Sequence, residues 1–410
     1  MFDGGSRKGA AALAVLVAAL GYFVDIYDLI LFSIVRKKSL EALGVPPEQI
    51  LDQGVLLINM QMGGMLVGGI FWGVLGDKRG RLSVLFGSIV TYSLANIANA
   101  FVHTVPAYAF WRFVAGVGLA GELGAGITLV AESLSKHARG YGTTIVATIG
   151  ITGAVVGAIV GGKVEWSTAY LIGGCLGLAL LLLRVGVVES GMYSKVKAKS
   201  EVSRGNFFAL FAERTRAIRY VSVVLVGVPI WYAIGILVTF SPEIGRALGM
   251  DPVPDPGRAV MWAYVGLAMG DLGSGALSQV LRSRKRVLLG FLLLTGIAVA
   301  LYFTVGSGGL LPFYACVTLL GFGTGYWAVF VTVASEQFGT NIRATATTTA
   351  PNFVRGAVVP LTTAFTALKS TSLGVPGAAV AVGVGTLAIA VLALRGLEET
   401  YGKDLEYLEG

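Results

Sequence analysis

Twelve apolar runs, each long enough to cross a lipid bilayer, are spaced along this chain, and no other feature restricts its fold so tightly. They fall near 9–35, 53–76, 82–102, 106–132, 141–162, 166–184, 219–240, 258–281, 287–305, 310–333, 343–368 and 377–395. A backbone in hydrocarbon must satisfy its own hydrogen bonds, so runs of this length form α-helices. Composition agrees: 55% of the 410 residues are apolar and only 13% are charged. That charge is too sparse to cover a soluble protein of this size, so lipid covers much of the surface. The expected fold class is an all-α membrane protein with twelve transmembrane helices. The first run follows Arg7 and Lys8, as a signal peptide would. It is longer than a signal h-region and two aspartates interrupt it, so it reads as the first span.

Charge sets the orientation. With both termini in the cytoplasm, the inner segments hold 22 Lys and Arg and the outer ones 7, a firm bias under the positive-inside rule. A cell inner membrane is the expected location. The Arg36-Lys37-Lys38 cluster after the first span runs against that bias. The only long inner segment, 185–218, reads as a linker with an amphipathic helix in FFALFAERTRAI. It separates a six-helix unit at 1–184 from another at 219–395, and 396–410 forms a cytoplasmic tail. The net charge of +8 is topogenic and does not point to nucleic acid. Cys175 and Cys316 lie in apolar stretches, His103 and His137 are the only histidines, and HExxH, CxxC and GxxxxGK[ST] are missing. No metal, cofactor or enzymatic activity is expected. The expected partners are lipid, protons and a small-molecule substrate, with the chain acting as a monomer.

Two spacings repeat across the linker. Glu132 precedes Arg139 by seven positions and Glu336 precedes Arg343 by seven, at an offset of 204. GVLGDKRGR, with Asp77, Arg79 and Arg81, aligns with SQVLRSRKR, with Arg282, Arg284 and Arg286, at an offset of 205. Two offsets near half the chain length indicate duplicated six-helix halves, pseudo-symmetric about a central cavity.

These residues resemble the major facilitator superfamily. GGIFWGVLGDKRGRLSVLFG is similar to its loop 2–3 signature, and the degenerate second copy is also typical. GYFVDIYDLILF, RFVAGVGLAGELGAGITLVAE and SEQFGTNIRATATTTAPNFVRG resemble the bacterial metabolite:proton symporters, with Asp25 where that group usually has glutamate and Ala120 where it has glycine. The resemblance implies proton transfer involving Asp25, Asp28 and Arg112, and an anion-binding arginine at Arg355. Exchangers of the superfamily carry proline where Ala158 stands in GITGAVVGAIVGG; its absence favours symport or uniport, and leaves GxxxG packing as the use of these glycines.

A carboxylate at mid-membrane needs a partner, a proton or water. Asp25 and Asp28 lie at i,i+3 on the first span, and two acids this close resist ionising together, which suits proton pick-up and release. Glu122 and Asp271 are further candidates for proton coupling. Thr345, Thr348, Asn352 and Arg355 form a polar stripe, and Arg355, which cannot shed its charge, must meet a substrate carboxylate or one of Asp25, Asp28 and Asp271. Trp231 with Tyr232 and Tyr326 with Trp327 are paired aromatics at comparable places, of which one in each pair is expected to wall the substrate. Tyr27, Asn59 and Gln61 complete the substrate-facing candidates. Asp77, Arg79, Arg81, Glu132, Arg139, Glu336 and Arg343 are expected to gate the cytoplasmic face. The function expected is proton-coupled symport of a small organic anion, a mono- or dicarboxylate, by alternating access. Symport of a zwitterion or organic cation, and a transport-deficient sensor on the same fold, stay open.

Overall fold

The computed structural model describes residues 4–79, 81–122, 139–189 and 207–403. The described chain contains no strand. The first half comprises α1 (Gly4–Ala42), α2 (Ile50–Arg79), α3 (Arg81–Asn99), α4 (Val105–Leu119), α5 (Arg139–Lys163) and α6 (Trp166–Glu189). The second comprises α7 (Arg214–Tyr232), α8 (Ser241–Ala247), α9 (Pro256–Val280), α10 (Arg284–Thr304), α11 (Leu310–Thr324), α12 (Trp327–Glu336), α13 (Thr340–Gly356), α14 (Val358–Lys369) and α15 (Gly374–Ala393). Seven helical stretches among the described residues are long and apolar enough to cross a membrane by themselves.

Capping places several helix starts. The Asp255 carboxylate accepts from the Arg258 N–H at 2.8 Å, ahead of Pro256, and the Ser283 hydroxyl accepts from the Arg286 N–H. Three runs expected to be continuous are broken. α7 carries Pro229 and passes into a π-helical turn at Ala233–Val238. The run over 310–333 splits at Gly325 and Tyr326 into α11 and α12, and that over 343–368 splits into α13 and α14. Pro360 lies in the first turn of α14, where its missing N–H leaves a carbonyl one turn earlier without an intrahelical donor. Apolar content continues through each break, so hydropathy alone does not mark it. The FFALFAERTRAI stretch likewise divides into a 3₁₀ turn at Phe207–Phe211 and the first turn of α7, with Phe207 stacked on Phe353 at 5.5 Å.

The duplication is legible in packing. A Cβ at Gly116 would lie 2.0 Å from the Gln61 carbonyl oxygen, so α4 meets α2 backbone to backbone; a Cβ at Gly321 would lie 2.0 Å from the Ala263 carbonyl oxygen, and α11 meets α9 in the same way. On α5, a Cβ at Gly153 would sit 2.1 Å from the Phe23 carbonyl, so the glycines of that span let it close on α1.

Several contacts among the described residues join the halves on the face where α1 ends. Arg36 Nη2 donates to both Glu243 carboxylate oxygens at 2.7 Å, Thr239 Oγ1 donates to Ser33 Oγ at 2.9 Å, Thr362 Oγ1 donates to Asn59 Oδ1 at 2.6 Å, and Lys369 pairs with Asp52. At the opposite face the chain after α15 packs on the second half. Gln337 Nε2 donates to the Glu398 carbonyl at 2.7 Å, and Glu399 accepts from the Ser283 hydroxyl and the backbone N–H groups of Arg284 and Lys285. Partial burial opposes the Glu399 charge, but these bonds and one from the Tyr401 N–H outweigh it and hold its carboxyl below the usual glutamate value.

Candidate functional site

The two halves meet around Arg355, in the last turn of α13, which is 1% exposed. Its Nη2 lies 3.7 Å from Asp25 Oδ2 on α1, itself fully buried. That distance is an ion pair without a hydrogen bond. The guanidinium also sits over the rings of Trp231 at 5.9 Å and Trp327 at 5.7 Å, a cation–π arrangement suited to a weakly hydrated planar cation. Its Nε and Nη1 have no hydrogen-bond partner among the described residues. Tyr22, Ile26, Ile151, Trp231, Tyr264 and Trp327 are among the residues that enclose the adjoining cavity, of about 30 Å³, room for a water or two.

The helix breaks place both tryptophans. Trp231 lies in the last turn of α7, ahead of the π turn, and Trp327 opens α12 just after the α11–α12 break. Asp271 on α9 secures that second position, since its Oδ1 accepts from the Ala328 N–H at 3.1 Å and the carboxylate caps the start of α12. Of each aromatic pair, the tryptophan faces the cavity. Tyr232 turns away to donate to the Ala379 carbonyl at 2.8 Å, and Tyr326 donates to the Val226 carbonyl at 2.9 Å.

Asp25 and Asp28 do not share one site. Asp28 turns into the interior of the first half, towards Arg112 on α4 and Asn96 on α3. Asp28 and Arg112 are both fully buried and neither closes a hydrogen bond among the described residues, while the Arg112 guanidinium lies over Phe32 at 5.4 Å and Tyr170 at 5.5 Å. Glu122 is held by Arg184 of α6 in a two-pronged pair, Nη1 to Oε2 at 3.0 Å and Nη2 to Oε1. Gly21 makes room for it: a Cβ there would lie 2.1 Å from Arg184 Nη2.

Other candidates bind elsewhere. Tyr27 donates to the Ala169 carbonyl at 3.0 Å and Gln61 to the Leu29 carbonyl at 3.1 Å, both within the first half. Asn59 is part of the contact with Thr362, and Asn352 Nδ2 donates across the halves to the Ala120 carbonyl at 3.0 Å. Glu336 pairs with Arg284 at 3.3 Å and accepts from Thr400 Oγ1 at 2.7 Å, while Arg343 Nε donates to the Phe338 carbonyl at 3.1 Å. Asp77 and Arg79 lie in the last turn of α2, and Arg81 and Arg139 open α3 and α5; the placement of their side chains, and all of Glu132, lie outside the described residues. Arg36, Glu243 and Arg184 were not singled out from sequence. Each arginine stands near the end of an apolar run, where it reads as a topogenic loop charge, although the misplaced Arg36-Lys37-Lys38 cluster was a signal that such charges are used inside the protein.

A helical bundle in two matched halves, with a cavity and a buried ion pair between them, is the frame of a carrier. The profile of the Major Facilitator Superfamily matches residues 12–358. The chain belongs to that superfamily. It is a multi-pass membrane protein and a transporter, not an enzyme. It is similar to the 3-(3-hydroxy-phenyl)propionate transporter of Escherichia coli (strain K12), 29% identical over 78% of this chain and 80% of the relative. It is also similar to a Bacillus subtilis (strain 168) protein assigned as a niacin/nicotinamide transporter, 25% identical over 95% of this chain and 96% of the relative. A Cupriavidus pinatubonensis protein assigned as a 4-methylmuconolactone transporter is 24% identical over 94% of this chain and 90% of the relative. These relatives support a secondary transporter of organic substrates.

Proposed function

We propose that this protein is a proton-coupled symporter of a ring-bearing organic monocarboxylate, working by alternating access in the inner membrane with both termini in the cytoplasm. The observation that carries the reading is Arg355 held between Trp231 and Trp327 with two of its nitrogens uncommitted. A guanidinium offers a fork for a carboxylate, and the two indoles offer flat apolar walls for a ring. Among the described residues Arg355 is the one cation lining this cavity, so a dicarboxylate would bury a second charge without a partner there. The relatives' names, niacin, hydroxyphenylpropionate and methylmuconolactone, are those of ring compounds and fit the same chemistry.

Asp25 supplies the coupling. With Asp25 ionised, the 3.7 Å pair occupies Arg355. A proton on Asp25 frees the guanidinium for the substrate carboxylate, and proton plus anion leave the cavity as neutral as the ion pair did, so the halves can move past the midplane at low electrostatic cost. The cavity as seen is too small for a ring, so binding requires the tryptophan walls to part.

Thermal-shift titration with nicotinate and benzoate tests the anion site. Arg355→Lys keeps the charge and loses the fork, so affinity should fall by about 1.5–3 kcal/mol, the worth of a charge-assisted hydrogen bond. Arg355→Ala should abolish binding. Wild-type affinity in a folded Arg355→Ala protein would overturn the site and bring forward a zwitterion or cation held by Asp25.

A further inference from the structure

Most buried tyrosines of this protein commit their hydroxyl to the protein itself. Tyr27, Tyr232, Tyr302 and Tyr326 each donate to a backbone carbonyl, and Tyr220 donates to Thr349 Oγ1, as buried polar groups in native structures generally do. The two that border the cavity beside Arg355 do not. Tyr22 on α1 is 8% exposed and Tyr264 on α9 is 4% exposed, both help to enclose that cavity, and neither hydroxyl proton meets an acceptor among the described residues. Apart from the guanidinium and the indoles of Trp231 and Trp327, the rest of the lining is Ile26, Ile151, Ile230, Ile234 and Leu267, side chains that offer a ligand no hydrogen bond.

The surroundings of each hydroxyl fix what it can still do. The Trp327 indole N–H is directed at the Tyr22 hydroxyl, and an indole only donates. The Tyr22 oxygen is thus the acceptor in that contact, and its own proton is left to donate elsewhere. The Tyr264 hydroxyl has no such neighbour and can take either role. Among the ionisable groups acting on Tyr264, Tyr22 is the strongest, ahead of Arg355 and Asp25, whereas on Tyr22 the strongest is Arg355. Tyr22 therefore stands between the guanidinium and Tyr264, and the pair gives the cavity a polar end beyond the arginine. α5 holds Tyr22 in place. A Cβ at Gly150 would lie 1.9 Å from Tyr22 Cδ1, so the ring rests on the bare backbone of that glycine and has no room to turn towards α5 for an acceptor.

A wholly apolar ring seated in this cavity would leave both hydroxyls without a partner, at the desolvation cost of each. The ligand's carboxylate does not answer them, because it belongs to Arg355, whose Nε and Nη1 are uncommitted. The group that serves Tyr22 and Tyr264 together must accept from the first and can either donate to or accept from the second. A hydroxyl does both, a methyl does neither, and a second carboxylate would bring a buried charge with no cation to meet it. We propose that Tyr22 and Tyr264 form a subsite for a hydroxyl group on the substrate's ring, so that the protein selects hydroxylated ring monocarboxylates over their unsubstituted and methyl-bearing analogues. The inference rests on the reading of Arg355 as the carboxylate site and specifies the other end of the ligand. Discrimination of this kind can be large, because a site built to bond a ligand hydroxyl is left with unpaired buried groups when an analogue lacks it.

Calorimetric titration of the full chain with benzoate, 3- and 4-hydroxybenzoate, and 3- and 4-methylbenzoate tests the subsite. Methyl and hydroxyl groups are close in size, so comparing them at the same ring position separates hydrogen bonding from fit. The wild-type protein should bind at least one hydroxybenzoate roughly 10-fold or more tighter than its methyl counterpart, the effect of two net hydrogen bonds. Tyr22→Phe and Tyr264→Phe keep the ring and lose the hydroxyl, and each should reduce that ratio by roughly 3–10-fold. Should Tyr22→Phe disturb the packing on Gly150, the Tyr264 variant and the wild-type ratio decide. A wild-type ratio near one overturns the subsite, and so does an undiminished ratio in the Phe variants. An equal loss for hydroxy-, methyl- and unsubstituted benzoate in those variants also overturns it, since the hydroxyls would then serve the carboxylate. In each of these cases, loss of benzoate binding in Arg355→Ala leaves the carboxylate site standing. A wild-type protein that binds none of these compounds overturns the monocarboxylate reading itself, and the subsite with it.

Discussion

Replacing Glu243 with Gln should open the face at which α1 ends. Arg36 is fully buried and Glu243 is 16% exposed. Besides its two 2.7 Å bonds to Glu243, Arg36 Nη2 reaches the Thr239 carbonyl at 3.3 Å, Nη1 reaches the Ile50 carbonyl at 3.4 Å, and the guanidinium stacks on Phe240 at 4.8 Å. Glu243, Thr239 and Phe240 belong to the second half, so these contacts exist only while that face is shut. Glu243→Gln leaves an arginine buried with long carbonyl contacts as its remaining polar partners. Breaking a fully buried pair costs about 3–5 kcal/mol, and the partial exposure of Glu243 lowers this to about 2 kcal/mol. At 1.4 kcal/mol per decade, the shift amounts to roughly 30-fold in the ratio of open to closed populations. Spin labels at Glu41 and Ala247, both exposed, give the distance across this face by pulsed electron resonance. The variant should populate a longer distance without substrate, and Arg36→Glu with Glu243→Arg should restore part of the short one. An unchanged distribution in Glu243→Gln would refute the gate and leave the pair a static link.

Asp271→Ala should lower thermal stability by about 1 kcal/mol, the worth of an N-terminal cap, and weaken benzoate binding by freeing Trp327, whereas Asp271→Asn keeps an acceptor oxygen and should preserve both. Loss of gradient-driven uptake in the Asn variant with binding intact would make Asp271 a proton site instead. Gly266→Ala should destabilise by about 1–3 kcal/mol, because its Cβ would lie 2.0 Å from the Thr318 carbonyl. Gly275→Ala, with nothing within 4 Å, should be neutral or stabilise by up to about 1 kcal/mol, and thermal unfolding of the purified proteins compares the two. Glu399 titrates below an ordinary glutamate, so its contribution to tail docking is complete above the unfolded value and is lost as pH falls through the lower folded value. Proteolysis after Lys403 should therefore accelerate only in that acid range, and Glu399→Gln should remove the dependence.

The parts legible in the sequence are those where a rare residue has few possible uses. Arg355 could be placed because a permanent cation in an apolar run must meet an anion, and the structure brings it to Asp25, one of the three acids named for it. The aromatic pairs were legible as either packing or a substrate wall, and Trp231 and Trp327 line the cavity. Helical periodicity separates Asp25 from Asp28 by about 60°, a difference too small to show in sequence that one crosses to the second half while the other turns inward. Arg184 and Arg36 were hidden by position, since a charge at the end of an apolar run reads the same whether it meets water or, as here, Glu122 and Glu243. The breaks at Tyr326 and Ala357 were hidden because apolar residues continue through them, although those breaks place Trp327 and end the helix that carries Arg355.

The arrangement of breaks also bears on how the site and the gate communicate. Asp25 and Arg36 lie on one uninterrupted helix, eleven residues and about 16 Å apart at 1.5 Å per residue, so a shift of α1 at the ion pair is carried to the gate as a rigid displacement. On the opposing side, Trp231 and Glu243 are separated by the π turn at Ala233–Val238, a stretch whose hydrogen bonds can change register without unfolding the helix. The Thr239 hydroxyl, which meets Ser33 across the halves, also lies 2.8 Å from the Ile234 carbonyl inside that turn. One side transmits and the other yields. On the proposed reading, the two Arg355 contacts that a substrate alters, Asp25 and Trp231, stand one on each of these elements. Freeing Arg355 from Asp25 while parting Trp231 from the guanidinium therefore acts on both elements that close the Arg36 face, and neither movement alone releases all of its contacts.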